Sequence, residues 1–237
     1  MKQLIAIILT ILTILFANPS DAQCIKGAGD VITRKINVSS FDKLKIECSA
    51  DVIVGEGNTQ KVEVKGQSNI IDVLSTEVAG DTWKIDFDKS VCFSKEFVIY
   101  VTVPSLKAIH IHGSGDVDGE TLFKEESFEV SINGSGDVNM NVEARDIEIE
   151  IDGSGDVNIE GSTNDLSIEI DGSGDVSAYN LETKNCSVEV NGSGDSNILV
   201  SGTLNVEVNG SGDVSYKGNP SNIQVDENGS GDVKHRE

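Results

Sequence analysis

The chain has 237 residues, a formal net charge of −22 and only 5% aromatic residues. So strong a negative charge excludes nucleic acid and anionic membranes as favoured partners, because both would be repelled. A chain of this length suits one β domain or two small ones.

The first 22 residues have the layout of a secretory signal peptide. Lys2 precedes an apolar run from Leu4 to Ala17, and small residues at Ser20 and Ala22 suit a cleavage site. The run is shorter than the about 20 residues that a membrane span needs. We therefore expect an extracytoplasmic mature chain without a membrane span, located in the periplasm, on the cell surface or in the medium.

Two other outcomes at the N-terminus are left open. The apolar run could stay as an uncleaved anchor, or Cys24 could carry a lipid. Lipoprotein signals place a small residue immediately before the cysteine, whereas this chain has Gln23. We therefore favour cleavage near Gln23.

Residues 23–104 are predicted to form an irregular N-terminal β section that caps the rest of the chain. Polar and apolar residues alternate at Lys61-Val62-Glu63-Val64 and again over residues 83–87, a pattern typical of half-buried strands. The spacing of these strands is uneven, and the turns are long. Terminal units of repeat proteins are commonly atypical because they cap the stack.

Residues 105–237 are dominated by a repeat. The tetrapeptide Gly-Ser-Gly-Asp occurs seven times at spacings of 18 to 21 residues, beginning at Gly113, Gly134, Gly153, Gly172, Gly192, Gly210 and Gly229. Degenerate versions precede them at Gly27-Ala28-Gly29-Asp30 and Ser49-Ala50-Asp51-Val52. A fixed period of this kind indicates a repeat architecture.

The residues before each motif alternate between apolar and polar. Leu166, Ile168 and Ile170 would face a core, and the polar residues between them would face solvent. One such unit of about 19 residues cannot bury its apolar face alone, but stacked units can. The sequence predicts an all-β fold, a right-handed parallel β-helix-like solenoid, which forms one continuous domain with residues 23–104.

The repeated Gly-Ser-Gly-Asp is predicted to form a corner or tight bend. Glycine adopts positive φ without steric cost and also permits close backbone approach. Stacking places the aspartates in one column at about 4.8 Å spacing, where their charges repel. Backbone N–H groups or serine hydroxyls could compensate, and so could Ca²⁺; the column is Asp116, Asp137, Asp156, Asp175, Asp195, Asp213 and Asp232.

The remaining chemistry-bearing residues are few. His110 and His112 would share one face of a strand and are expected to be exposed rather than metal ligands. Cys186 occupies a leucine position and should behave as a buried apolar residue, so the preferred disulfide is Cys48–Cys92. With three histidines and no distinctive acid/base pair, we predict no catalytic residues and no enzymatic activity.

Val101-Thr102-Val103-Pro104-Ser105-Leu106, followed by the repeated Gly-Ser-Gly-Asp-Val, resembles the DUF2807 family, the putative auto-transporter adhesins with a head GIN domain. The resemblance covers roughly residues 35–233. It implies an exported β-helix-like protein of the kind common in Bacteroidetes, and it assigns no ligand and no binding residue.

The favoured function is a structural or adhesin-like surface module that binds an unknown protein or glycan multivalently. The alternatives are a Ca²⁺-binding solenoid that uses the aspartate column and, less favoured, a carbohydrate-active enzyme. At the C-terminal end, the charges of Lys234, Arg236 and Glu237 should discourage further strand pairing. The alternative there is that two chains meet end to end as a homo-oligomer.

Overall fold

A computed structural model describes residues 24–237, so the predicted signal peptide at residues 1–22 lies outside the described residues. Nearly all of the regular structure is β, and sixteen strands belong to one sheet that runs through the whole described chain. Among the residues described, no helix has the length and hydropathy to cross a membrane.

The repeat section is a parallel β-solenoid, as predicted. Each strand pairs in register with the strand one repeat later, so that Ile149 lies beside Ile168 and Ile168 lies beside Val188. The strands are β10 (Ala108–Ile111), β11 (Val117–Ile132), β12 (Val138–Ile151), β13 (Val157–Ile170), β14 (Val176–Val190), β15 (Ser196–Val208), β16 (Val214–Lys217), β17 (Asn222–Glu227) and β18 (Val233–His235).

The core is a set of apolar columns that run along the solenoid. Leu166, Ile168 and Ile170 are buried, and the alternating residues Ser167 and Glu169 are exposed. Each apolar residue rests on its counterpart in the next strand, because the pairing is in register. The two-residue period of the sequence therefore becomes an inner and an outer surface, which confirms the predicted fold class.

The N-terminal section contains shorter strands and one helical turn. These elements are β1 (Ile25–Lys26), β2 (Val31–Ile36), β3 (Lys43–Ile46), β4 (Asp51–Glu56), β5 (Lys61–Gln67), α1 (Ser68–Ile71), β6 (Val78–Ala79), β7 (Thr82–Ile85), β8 (Val91–Cys92) and β9 (Val98–Val103).

Chain order and stacking order differ in this section. β3 lies between β7 and β10, and β4 lies between β9 and β11. β3 and β4 therefore form the first regular layer beneath the repeats, and the chain then turns back to add β5, β7 and β9 beneath that layer. β2 and β5 pair antiparallel, which breaks the parallel pattern at this end.

Aromatic side chains fill the N-terminal end. Trp83 is fully buried, and its ring centroid lies 5.3 Å from that of Phe41. Phe87, Phe93 and Phe97 form a second cluster with centroids 5.2 to 5.6 Å apart. These large apolar groups cover the first layer of the solenoid core, which would otherwise face water.

The predicted Cys48–Cys92 disulfide is wrong. Cys92 is bonded to Cys24, with the two Cα atoms 5.6 Å apart. Parallel pairing of β1 with β8 brings the two cysteines together, whereas Cys48 lies in the stack beneath Gly113 and keeps a free thiol. The disulfide also occupies the sulfur that lipidation of Cys24 would require.

The repeat glycines do not have the backbone conformation that a corner prediction implies. Within residues 24–237, the glycines with positive φ are Gly29, Gly80, Gly161 and Gly218, and none belongs to a Gly-Ser-Gly-Asp motif. The motif forms a bend between two strands and also continues the parallel stack, since the Ser173 N–H donates to the Gly153 carbonyl at 2.8 Å.

Close backbone approach explains the glycines. A Cβ atom on Gly172 would fall onto the carbonyl oxygen of Gly153, and the same overlap recurs at the other repeat glycines of the stack. The predicted bend is present at each motif, but the positive φ expected of its glycines is wrong, and the alternative of close approach is correct. Any side chain there would push neighbouring turns of the solenoid apart.

Replacing Gly172 with Ala is expected to lower the free energy of unfolding by about 1–3 kcal/mol, the usual cost of overpacking. Chemical denaturation of the purified protein measures this loss. Ser173→Ala is the matched control because Ser173 lies between two such glycines but is exposed, and its expected change is within about 0.5 kcal/mol. Equal stability of the two variants would contradict the explanation by close approach.

Candidate functional site

A groove of about 580 Å³ follows the solenoid along the second halves of the long strands. It crosses five consecutive repeat strands and extends towards β3. At about 4.8 Å per layer, the five repeat strands alone span about 19 Å. Its lining residues are Lys43, Lys107, Ser127, Phe128, Glu129, Asp146, Ile147, Glu148, Asp165, Leu166, Ser167, Asn185, Cys186, Ser187, Thr203 and Asn205.

The groove has polar walls and an apolar floor. Strands β11 to β14 each contribute one inward residue beneath the groove, as Ile147, Leu166 and Cys186 do, and these side chains are at most 3% exposed; β15 contributes only the outward Thr203 and Asn205. The outward residues on either side of each floor residue form the walls. Apolar residues combined with hydrogen-bonding groups are typical of ligand sites, although here the buried floor side chains leave the polar walls as the main accessible surface.

The charge of the walls changes along the groove. Lys43 and Lys107 stand at the N-terminal end and are held in ion pairs with Asp81 and Asp42. Carboxylates line the middle, and the C-terminal end is uncharged. The middle contains Glu129, Asp146, Glu148 and Asp165; the uncharged end contains Ser167, Asn185, Ser187, Thr203 and Asn205.

A column of acidic side chains lies next to the groove. In-register pairing aligns Glu150, Glu169, Glu189, Glu207 and Asp226 at one outward position of successive strands. Desolvation raises the pKa of Glu169, and the nearby carboxylates, beginning with Asp171 and Glu189, raise it further. This column would repel an anionic polymer lying in the groove.

The predicted aspartate column exists, but on a different face from the groove. Each aspartate after the first donates its backbone N–H to the Oδ1 atom of the aspartate one repeat earlier, at 2.7 to 2.9 Å. We call this the aspartate ladder, made of Asp116, Asp137, Asp156, Asp175, Asp195, Asp213 and Asp232. Backbone donors thus stabilise the carboxylates, which was one of the alternatives left open by the sequence.

The aspartate ladder has an additional member at its N-terminal end. Asp116 donates its N–H to Asp51, at 3.4 Å, and burial raises the pKa of Asp51. The degenerate Ser49-Ala50-Asp51-Val52 is the sequence signal for this position. Gly27-Ala28-Gly29-Asp30 has no such role, because the strand after it pairs antiparallel with β5.

Side-chain amides form a second ladder, immediately before the first glycine of the last three motifs. Asn191 donates to Asp171 at 2.7 Å, Asn209 donates to Asn191 at 3.0 Å, and Asn228 donates to Asn209 at 3.3 Å. These bonds hold exposed side chains at fixed positions. The three amide side chains are therefore linked from one repeat to the next along this face.

The histidines and free cysteines form no reactive site. His110 lies 3.1 Å from Glu129, and no group of three metal-ligating side chains occurs within residues 24–237. Cys186 is buried between Leu166 and Leu204, as predicted, and burial raises its pKa to about 12. Burial also raises the pKa of Cys48 to about 11, so neither thiol is a nucleophile near neutral pH.

The aromatic residues of the repeat section do not line the groove's uncharged end. Lys217 lies 5.2 Å from the centroid of the Tyr179 ring, and Tyr216 stacks on His235 at 4.9 Å. Both tyrosine rings therefore already contact a neighbouring side chain. The groove itself was missed by sequence reasoning, because alternation predicts which residues face outward but not where the outer surface becomes concave.

A family model described as "Putative auto-transporter adhesin, head GIN domain" matches residues 40–220. The chain belongs to the DUF2807 family. This match covers both the first regular layer and most of the repeats, and it confirms the resemblance inferred from the motifs. The family's description is that of an adhesin and not of an enzyme. Among curated proteins, none matches this DUF2807 chain.

Solved structures share the fold. A putative adhesin from Bacteroides fragilis is 24% identical, with a TM-score of 0.85 over 90% of this chain and all of its own. A putative adhesin from Parabacteroides distasonis is 23% identical, with a TM-score of 0.70 over 90% of this chain and all of its own. A putative lipid binding protein from the same species is 21% identical, with a TM-score of 0.71 over 91% of this chain and all of its own.

The aspartate ladder can be tested with two substitutions at Asp156. Asp156→Ala removes the acceptor of the Asp175 N–H and should lower the free energy of unfolding by about 1 kcal/mol, the net value of one hydrogen bond. Asp156→Asn keeps an oxygen acceptor and removes one charge, so its stability should match or exceed that of the parent. Denaturant titration distinguishes these outcomes, and equal destabilisation by both variants would contradict an acceptor role.

Proposed function

We propose that this DUF2807 protein is an exported, non-enzymatic adhesin-like module that holds an uncharged, hydroxyl-rich polymer, a glycan, in the groove. The observation that carries the proposal is the groove itself, whose C-terminal end has uncharged hydroxyl and amide groups in successive layers. Family membership supports an adhesin-like role, and the N-terminal sequence supports export.

The repetition of the groove suits a repetitive ligand. At the uncharged end, β13, β14 and β15 each offer a hydroxyl or amide group, so a polymer would meet similar groups there at intervals of about 4.8 Å. Individual hydrogen bonds exposed to water contribute little, but many acting on one chain add up through effective concentration. A rigid framework with fixed side chains reduces the entropy lost on binding.

The charge of the surface restricts the ligand. The acidic column beside the groove and the net charge of −22 oppose anionic polysaccharides and nucleic acids. Lys43 and Lys107 already have acidic partners, so they offer little free positive charge. An uncharged glycan therefore fits the groove better than a polyanion does.

Blocking the groove tests this function. The variant Ser167→Arg/Ser187→Arg places two large side chains in the uncharged part of the wall and should abolish retention on immobilised neutral glycans. The matched control is Ser173→Arg/Ser193→Arg, which changes the same residue type in the motifs that follow the same two strands, outside the groove. A glycan array probed with the parent and both variants is the measurement.

Two outcomes would contradict the proposal. The parent could bind no neutral glycan, or the two double variants could lose binding equally, which would indicate a charge effect rather than groove contact. Because all four serines are replaced by Arg, the pair of variants has the same net charge and differs only in position. Circular dichroism spectra establish that both retain the β fold.

A second candidate function is Ca²⁺ binding beside the aspartate ladder. No three Asp, Glu, His or Cys side chains within residues 24–237 converge on one point, so amide and hydroxyl oxygens would have to complete the ligand set. A concave region of about 410 Å³ is lined mainly by oxygen-bearing side chains, namely Asp137, Asn139, Asp156, Asn158, Asp175, Ser177 and Asn197. The Oδ1 atoms of Asp137 and Asp156 accept backbone N–H groups, and their second oxygens remain. Carboxylate and amide oxygens are the ligands that Ca²⁺ prefers.

Melting curves in 1 mM CaCl₂ and in EDTA test this candidate. A ligand that binds the native state alone raises Tm, so Ca²⁺ should stabilise the parent. Asp156→Asn/Asp175→Asn keeps the acceptors of the aspartate ladder and should remove the Ca²⁺-dependent rise. Coincident curves for the parent would eliminate Ca²⁺ binding here and leave the glycan proposal unaffected.

A further inference from the structure

The two ends of the solenoid present one long open strand edge each. β2 pairs only with β5 at the N-terminal end, and β17 pairs only with β15 at the C-terminal end of the described chain. Both strands are six residues long. The other edge strands are shorter, since β6 has two residues and β18 has three.

Apolar side chains are exposed on these two edges. Within residues 24–237, the exposed large hydrophobic residues are Ile32 on β2 and Ile223 and Val225 on β17, at 41%, 49% and 41% exposure. Ile223 and Val225 belong to the same columns as Leu204 and Val206, which are buried by the next strand. On β17 they are uncovered, because no strand described in the structure lies outside it.

Natural edge strands usually carry devices that prevent further pairing, and here the devices are unevenly distributed. On β18, Lys234 forms ion pairs with Asp213 and Asp232 at 2.7 and 3.1 Å, which places a charge at that edge. β17 carries acidic residues only at its end, Asp226 and Glu227, and keeps two apolar residues and a full strand length open. An edge of this kind favours the addition of another strand.

The charges on the two edges are complementary. β2 carries Arg34 and Lys35 with no acidic residue, and β17 carries Asp226 and Glu227 with no basic residue. Pairing β2 with β2, or β17 with β17, would therefore bring like charges together, whereas β2 with β17 joins opposite charges. Arg34 forms an ion pair with Asp72 at 2.7 Å, so Lys35 provides most of the free positive charge on β2.

The distribution of charge along the chain also favours contact between opposite ends. Residues 24–107 contain eleven Lys or Arg and twelve Asp or Glu. Residues 108–237 contain six Lys or Arg and twenty-seven Asp or Glu. Two C-terminal ends approaching each other would bring two strongly acidic sections together. Contact between a nearly neutral N-terminal end and an acidic C-terminal end avoids most of this repulsion.

We propose that copies of this chain associate head to tail, with the β17 edge of one copy pairing with the β2 edge of the next. Such an interface joins two different surfaces and leaves one of each free, so association continues into a linear chain. The contact buries Ile32 of one copy against Ile223 and Val225 of the other. This proposal is independent of the groove and of its ligand.

Two edge variants test the proposal. Ile223→Lys/Val225→Lys disables the C-terminal edge and leaves β2 intact; Ile32→Lys disables the N-terminal edge and leaves β17 intact. Lys at an edge opposes pairing, and all three positions are already exposed, so both variants should fold. Light scattering coupled to size-exclusion chromatography of the mature chain from Gln23 gives the mass at increasing protein concentration.

The expected result has three parts. The parent increases in mean mass with concentration, each variant alone remains a monomer, and an equimolar mixture of the two variants approaches twice the monomer mass. The mixture forms one productive contact, between the intact β17 edge of one variant and the intact β2 edge of the other. Added salt should weaken the association of the parent, because opposite charges contribute to it.

Several results would overturn the proposal. One is a parent that stays monomeric at the highest concentration at which it remains soluble. Another is dimerisation of Ile32→Lys by itself, which would show pairing of two C-terminal edges. Dimerisation of Ile223→Lys/Val225→Lys by itself would show pairing of two N-terminal edges. A mixture that stays monomeric while the parent associates would place the contact elsewhere.

Discussion

In-register parallel stacking is the constraint on which the rest of the molecule depends. It places each residue about 4.8 Å from the residue one repeat away, so every position along the repeat becomes a column of equivalent side chains. In an apolar column, each side chain packs on its counterpart in the next repeat, as Ile149, Ile168 and Val188 do. Every other type of column must avoid a clash or a repulsion with its own copies.

Each column solves this problem with its own chemistry. Glycine at Gly172 leaves space for the Gly153 carbonyl. The aspartate ladder accepts a backbone N–H from the following repeat, and the side-chain amide of Asn191 bonds to Asp171. In the glutamate column of the described chain, only Glu189 and Glu207 accept side-chain amide N–H groups, each from the asparagine two residues later. Desolvation raises the pKa of Glu169, and the neighbouring carboxylates raise it further. The negative charge of this column lies beside the groove, where it would repel an anionic polymer.

The repeats could be predicted from sequence because their interactions recur at a fixed period. Alternation specified the buried face, and the motif spacing specified the turn length and the aspartate column. The role of the glycines was harder, since the sequence does not distinguish positive φ from close approach. Where the period ends, prediction failed: the Cys24–Cys92 bond and the insertion of β3 between β7 and β10 depend on contacts between segments that share no pattern. The groove depends on curvature of the strands, which a residue pattern does not encode.

The aspartate ladder has a direction, because each backbone N–H donates to the carboxylate of the preceding repeat. Loss of the last repeat would free the Asp213 carboxylate to be solvated, and it would leave no orphaned N–H in this ladder. Loss of the layer at β3 and β4 would instead remove the acceptor of the Asp116 N–H. Loss of the last repeat would nevertheless remove the Asp232 carbonyl that accepts the Val214 N–H. The side-chain ladder alone therefore makes the N-terminal layer harder to lose than the last repeat.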